Sequence, residues 1–147
     1  MNIELNAGQS DTRVGDITLP GSVDLTNREN QLVKIVNNAG AANFALPTAV
    51  TDQANFICMS GDVAGNPSAA EAPSLNENCR VLIDSVNAIN PGDLLSLSPN
   101  SFGKLYKPAA GAGAGVYKFQ AETAVAAGSN PPNPCKVRRI CDTAFNL

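Results

Sequence analysis

Ala88-Ile89-Asn90-Pro91-Gly92-Asp93-Leu94-Leu95-Ser96-Leu97-Ser98 is the stretch that decides the fold. Pro91 presets φ for the first central position of a tight turn, and Gly92 supplies positive φ at the second. The residues after the turn alternate apolar and polar, which predicts a strand over 94–98. A second turn, Pro99-Asn100-Ser101-Phe102-Gly103, follows, and Lys104-Leu105-Tyr106-Lys107 returns as the hairpin partner.

The same grammar extends in both directions. Upstream, Ser22-Val23-Asp24-Leu25-Thr26 alternates, and Gln31-Leu32-Val33-Lys34-Ile35-Val36 is rich in β-branched residues before the turn cluster Asn37-Asn38-Ala39-Gly40. Thr26-Asn27-Arg28-Glu29 fits a helix capping box, but six β-branched-rich residues favour a strand over a helix. Asn43–Leu46, Asn55–Met59 and Arg80–Asp84 are further short strands. The stretch 60–78 is polar, lacks periodicity and predicts a long connection. Downstream, Val116–Thr123 alternates, and Cys135-Lys136-Val137-Arg138-Arg139-Ile140-Cys141 is the last predicted strand. No amphipathic helix of twelve residues emerges. Eight to ten short strands spaced in this way predict a mainly β domain, a compact β-barrel or β-sandwich.

The chain has 147 residues, 10 basic and 13 acidic, a net charge of −3 and no histidine. That acidity argues against nucleic acid as the partner, because phosphate binders carry a basic face. The missing imidazole excludes Ser-His triads and most zinc chemistry. Aromatic residues at 5% with no Trp predict a core of small side chains. No run approaches the ~20 apolar residues of a membrane span, and the start Met1-Asn2-Ile3-Glu4-Leu5-Asn6 does not resemble a secretory leader. Four reduced thiols at Cys58, Cys79, Cys135 and Cys141 are therefore expected ahead of two disulfides. No cysteine pair has metal-ligand spacing. Gly111-Ala112-Gly113-Ala114-Gly115 lacks both the spacing and the following helix of a dinucleotide loop. The carboxylates Asp24, Asp52, Asp62, Asp84, Asp93 and Glu122 are scattered singly, mostly at turns. The expectation is of no catalytic, metal or cofactor site.

Residues 1–21 read either as a disordered terminus or as an extended arm, 22–147 as one β domain, and 46–80 as an insertion lobe within it. Twenty extended residues reach roughly 65 Å, enough to cross a neighbouring molecule. The only basic concentration is on the terminal strand, where Lys136 and Arg138 share one face and Arg139 the other. Two readings stand: solvated charges guarding an edge strand, or a contact with an acidic protein surface.

Three stretches in order carry a resemblance: Val23-Asp24-Leu25-Thr26 running into Gln31-Leu32-Val33-Lys34; Ile89-Asn90-Pro91-Gly92-Asp93-Leu94-Leu95 continuing through Gly103-Lys104-Leu105-Tyr106-Lys107-Pro108-Ala109; and Phe119–Gly128 followed by Val137-Arg138-Arg139-Ile140. This order resembles the capsid cement, or head decoration, proteins of tailed bacteriophages over roughly 22–45 and 86–141. The resemblance implies a β-tulip-like domain with an extended N-terminal arm and no enzymatic activity. It implies a virion protein, made in the host cytoplasm, that sits on the outer face of an icosahedral shell. Its partners would be the major capsid protein and its own copies, commonly as a homotrimer, with neither nucleic acid nor membrane. Contacts to the shell or to neighbouring subunits are then expected at Ile3, Leu5, Arg13, Val14, Ile17 and Leu19 of the arm and at Lys136 and Arg138 of the last strand. The alternative is a virion-surface adhesin or fibre-type binding module; a small hydrolase ranks last.

Overall fold

The computed structural model of the chain describes residues 16–109 and 114–146. Ten strands follow one another: β1 (Ile17–Pro20), β2 (Leu32–Asn38), β3 (Ala41–Ala45), β4 (Phe56–Ser60), β5 (Pro67–Glu71), β6 (Asn78–Val81), β7 (Leu94–Leu97), β8 (Leu105–Tyr106), β9 (Ala114–Ala121) and β10 (Cys135–Asn146). They form two five-stranded antiparallel sheets, ordered β1-β5-β4-β2-β3 and β6-β10-β9-β7-β8. The expected mainly β architecture is what the chain adopts, and no helix occurs among the described residues.

Local chemistry sets the turns. β2 and β3 meet at Ala39 (φ 52°) and Gly40 (φ 87°), and the Asn37 side chain caps the turn by accepting from the Gly40 amide at 2.8 Å. Two successive positive φ values match the twist of a two-residue hairpin. At Asn90-Pro91-Gly92-Asp93 the Asp93 amide donates to the Asn90 carbonyl at 3.1 Å, with Gly92 at φ 95°. Gly103, at φ 94°, closes the β7–β8 turn.

Each sheet curls over its own core. All five strands of the first sheet point side chains into a small cluster built on Val33, Phe44, Cys58 and Ala70, with Leu19 packed at its edge. A parallel bridge from Gly21 to Phe44 brings β1 back to β3 and nearly closes this sheet into a barrel. The second sheet contributes Val81, Leu95, Leu97, Leu105, Phe119 and Val137 to a larger cluster, and Ile83 bridges to Leu105 to rejoin its ends. Leu32, Ala54 and Ile57 of the first half belong to that larger cluster. Neighbours Leu32 and Val33 are both fully buried because opposite faces of β2 serve different cores. Backbone bonds reinforce the join. The Leu32 amide donates to the Gly103 carbonyl at 2.7 Å, and the Leu82 amide to the Asn30 carbonyl at 2.9 Å.

Several expectations change. The arm boundary at residue 21 moves to before Ile17, because Ile17–Pro20 pairs with Ala70–Pro67 as a strand. The stretch 46–80, read as an insertion lobe, does not stand apart from the two sheets. It supplies β4 and β5 to the first sheet and β6 to the second. Ser22–Thr26 is irregular where alternation predicted a strand. Leu25 is a fully buried plug in the small core, its amide bonded to the Asp62 carbonyl at 2.9 Å, and the left-handed Asn27 and Asn30 turn the chain into β2. The capping-box pattern at Thr26–Glu29 begins no helix; the Thr26 amide donates to Asp24 Oδ1 at 2.9 Å in a local turn.

Candidate binding surface

β10 lies between β6 and β9, so its charges do not guard a sheet edge. Lys136 and Arg138 do share a face, and both reach Glu122: Lys136 Nζ to Oε1 at 3.6 Å, Arg138 Nε to Oε2 at 2.7 Å. Glu122 is positioned by its own amide, which donates to the Lys136 carbonyl at 3.1 Å. Arg138 Nη1 also donates to the Asn76 carbonyl at 2.7 Å, tying β10 to the left-handed turn before β6. Arg80, exposed on β6, stands opposite Lys136 in register. Two cations meet at this one carboxylate, and a third, Arg80, lies in register beside Lys136. Exposed pairs of this kind add only about 0–1 kcal/mol to stability, so the cluster is better suited to meeting another surface than to holding the fold.

Arg139 takes the other side of β10, with its guanidinium 5.7 Å from the Phe119 ring centroid and Nη1 donating to the Ile140 carbonyl at 2.8 Å. It is a packing residue.

A second feature surrounds the root of the N-terminal segment. The Gly21 amide donates to the Asn66 carbonyl, the Gly65 amide to the Gly21 carbonyl, and the Leu25 amide to the Asp62 carbonyl, which binds the 21–25 and 62–66 loops together. Val23 and Val63 on these loops are 40% and 49% exposed, and Ile17 on β1 is 38% exposed. Val23 and Val63 thus face solvent on the joined loops at the Gly21 end of β1, and Ile17 faces it at the strand's opposite end. Leu19, in contrast, packs against the domain's own small core, so it is a core residue rather than an anchor for a partner. The other expected arm contacts, Ile3, Leu5, Arg13 and Val14, lie outside the described residues, as do positions 110–113 of the Gly/Ala stretch. Val23, Val63, Arg80 and Glu122 were not singled out as contacts from the sequence. Alternation along β9 and β10 carries the signal for Glu122, since pairing Val137 with Ala121 puts Lys136 next to 122.

A cavity of about 360 Å³ opens between the two halves, lined by Arg28, Gln31, Leu46, Asn100, Ser101, Phe102 and Lys104. Arg28 Nη1 donates to Gln31 Oε1 at 3.5 Å inside it.

The polar side chains with the best geometry are occupied structurally. Ser98 Oγ donates to Asp84 Oδ2 at 2.5 Å and accepts from the amides of Asn100 and Ser101, each at 3.1 Å. Fully buried and committed to a turn, it is not poised as a nucleophile. Asp52 accepts from Lys34 Nζ at 2.8 Å and from the amides of Thr48 and Ala49. Burial pushes its pKa up, but the Lys34 bond and the two amides outweigh it and hold the carboxyl below its ordinary value. Asp93 is likewise held low, first by the Asn90 amide and, against burial, by Lys107 at 3.0 Å. Burial pushes the Cys58 thiol up, with Glu29 adding to it. Cys58 and Cys135 are free thiols. Among the described residues no three His, Cys, Asp or Glu side chains gather to hold a metal ion, and no helix is long and apolar enough to cross a membrane. No protein-family model and no curated protein matches the chain.

Proposed function

We propose that this chain is a non-enzymatic virion protein that binds the outer surface of an icosahedral phage capsid and cements neighbouring capsomers against the pressure of packaged DNA. The observation that carries the reading is the exposure of the apolar side chains Val23 and Val63 on the joined loops, with Ile17 exposed at the start of β1. Apolar side chains held outward by a bonded pair of loops favour a surface that another chain covers. The cations Arg80, Lys136 and Arg138 supply a second, polar contact suited to an acidic neighbour. A β domain whose surface is dressed with Asn, Ser and Thr fits the wet, hydrogen-bonded interfaces of such assemblies. The major capsid protein and further copies of this chain are the partners this reading names.

Particles lacking the protein should release DNA at a lower temperature than complete ones, and adding back the purified chain should abolish the difference. Equal release from both particles on heating and on osmotic shock removes the reading.

A further inference from the structure

The cavity of about 360 Å³ between the two halves is at the lower end of the size range of small-molecule sites, and each half contributes one cation to it. Arg28 comes from the turn ahead of β2 and Lys104 from the turn ahead of β8, and no carboxylate is among the lining residues. Among the described residues neither cation forms an ion pair, and Lys104 Nζ, Asn100 Nδ2 and Ser101 Oγ take no hydrogen bond. The acids nearest Arg28 in sequence are engaged with backbone: Asp24 Oδ1 accepts from the Thr26 amide at 2.9 Å, and Glu29 Oε2 from the Gly61 amide at 3.1 Å. Thr26 is the first cause that lowers the Asp24 pKa, and Arg28 is the least. Both walls are pinned. Ser98 Oγ accepts from the Asn100 and Ser101 amides, the Lys104 amide donates to the Ser101 carbonyl at 3.0 Å, and Gly103 packs on the buried Gln31. The loop's own amides are therefore occupied, and side chains are what it offers to a ligand.

We propose that this cavity binds a small organic phosphate, a dianion carried on an apolar body, independently of the function proposed above. Two cations match two negative charges, and the planar guanidinium of Arg28 suits an oxyanion with several acceptor oxygens. Asn100 and Ser101 add neutral donors beside them. Phe102, 38% exposed, and Leu46 give the organic part of the ligand an apolar wall. A carboxylate or sulfonate, with one negative charge, leaves half of the positive charge unmatched, which favours a phosphate monoester over either. A phosphate polymer needs an extended basic face, which a chain of net charge −3 does not favour; a single phosphate needs only the local pair.

The test titrates phenyl phosphate into the isotope-labelled full-length chain and follows backbone amide shifts by NMR. The buffer is phosphate-free at about pH 8, where phosphate monoesters are dianions. Inorganic phosphate, benzenesulfonate and phenol are titrated in parallel. The expected result is saturable shifts centred on 28–31 and 100–104 with a Kd of about 1 mM or tighter. Benzenesulfonate should bind about tenfold more weakly, and phenol should give no saturable shift. Arg28→Gln and Lys104→Gln should each weaken phenyl phosphate about tenfold. Phe102→Ala should weaken phenyl phosphate and leave inorganic phosphate unchanged. Lys104→Gln decides the matter even if Arg28→Gln disturbs the fold, because Lys104 Nζ holds no partner in it. Absence of saturation at ten times that Kd overturns the proposal, as does unchanged affinity in Lys104→Gln. So do equal affinities for phenyl phosphate and benzenesulfonate, or shifts centred instead on Arg80, Lys136 and Arg138.

Discussion

Gly92 and Gly103 both hold φ near +95°, at 95° and 94°, yet their surroundings differ. A Cβ on Gly92 would meet nothing within 4 Å. On Gly103 it would stand 2.8 Å from Gln31 Oε1, 3.1 Å from Gln31 Cβ and 3.3 Å from the Leu32 carbonyl oxygen. Replacing each by alanine therefore separates two costs. Both variants bear the left-handed backbone penalty, about 1–2 kcal/mol. Only Gly103→Ala adds overpacking, about 1–3 kcal/mol. Gln31 is the terminal group that would have to move, but it is 5% exposed and engaged with Arg28, so it has little room to swing. The crowding also falls on the Leu32–Gly103 backbone bond that joins the two halves. Urea unfolding at neutral pH should place Gly92→Ala about 1–2 kcal/mol below the parent and Gly103→Ala about 2–5 kcal/mol below. At roughly 2–4 °C per kcal/mol for a chain of this size, the variants should also separate in Tm. Equal losses would mean that the β7–β8 turn does not rest on Gln31, and the packing of one sheet's turn against the other half would be refuted.

Other perturbations probe other parts of the chain. Phe44→Ala empties the small barrel core, where Phe44 is fully buried and tilts against Phe56 at 5.9 Å; it should cost about 3–5 kcal/mol in urea unfolding. Asp93 has a folded pKa below its ordinary 3.8, so its contribution is complete above that value and lost as pH falls through the lower folded one. Asp93→Asn should therefore be less stable than the parent at pH 7, with the gap narrowing as pH falls below 3.8; a gap constant with pH would disprove the pairing. Cys58 is 1% exposed with its thiol pKa raised by burial, so alkylation followed by peptide mapping should mark Cys58 only after denaturant is added. Rapid labelling in the native state would contradict its placement in the core.

Turn chemistry was the most legible part of the sequence. Pro91-Gly92 and Ala39-Gly40 each demand a backbone that few other residues supply, so the hairpins follow from local signals. β5 was invisible for the opposite reason. Pro67-Ser68-Ala69-Ala70-Glu71 has weak strand propensity, and its place between β1 and β4 is decided by pairing and by a core too narrow for larger side chains. Leu25 satisfied the alternation expected of a strand, yet it is a plug whose position depends on Gly61, where any Cβ would strike the Leu25 carbonyl oxygen. Periodicity within one segment carries no information about such a contact. At the surface, the shared face of Lys136 and Arg138 could be read from parity along one strand. Their common carboxylate Glu122 required knowing the β9–β10 pairing. Lys118 had the parity of a solvent-facing residue, yet it is fully buried and reaches Asn55 ahead of β4, a contact that parity along one strand does not reveal.

Two truncations distinguish what the N-terminal segment does for the fold from what it does for a partner. Removing residues 1–15 leaves the sequence of every described strand and register pair in the chain. Removing residues 1–21 deletes β1, its four pairs with β5, the Gly21–Phe44 bridge and the apolar contact of Leu19. Leu19 alone is worth up to about 1.5–3 kcal/mol of burial, and β5 would become an unpaired edge. The shorter truncation should thus unfold at the parent's urea midpoint, while the longer one should lose at least about 2 kcal/mol. On shells, the proposed cementing role predicts that the shorter truncation already binds more weakly, because it removes the expected arm contacts Ile3, Leu5, Arg13 and Val14. Undiminished binding by a stable 16–147 chain would assign docking to the β domain alone, with the Lys136 and Arg138 face as its remaining candidate. A large stability loss from the shorter truncation would instead show that residues before Ile17 complete the small barrel, and the arm would be part of the fold.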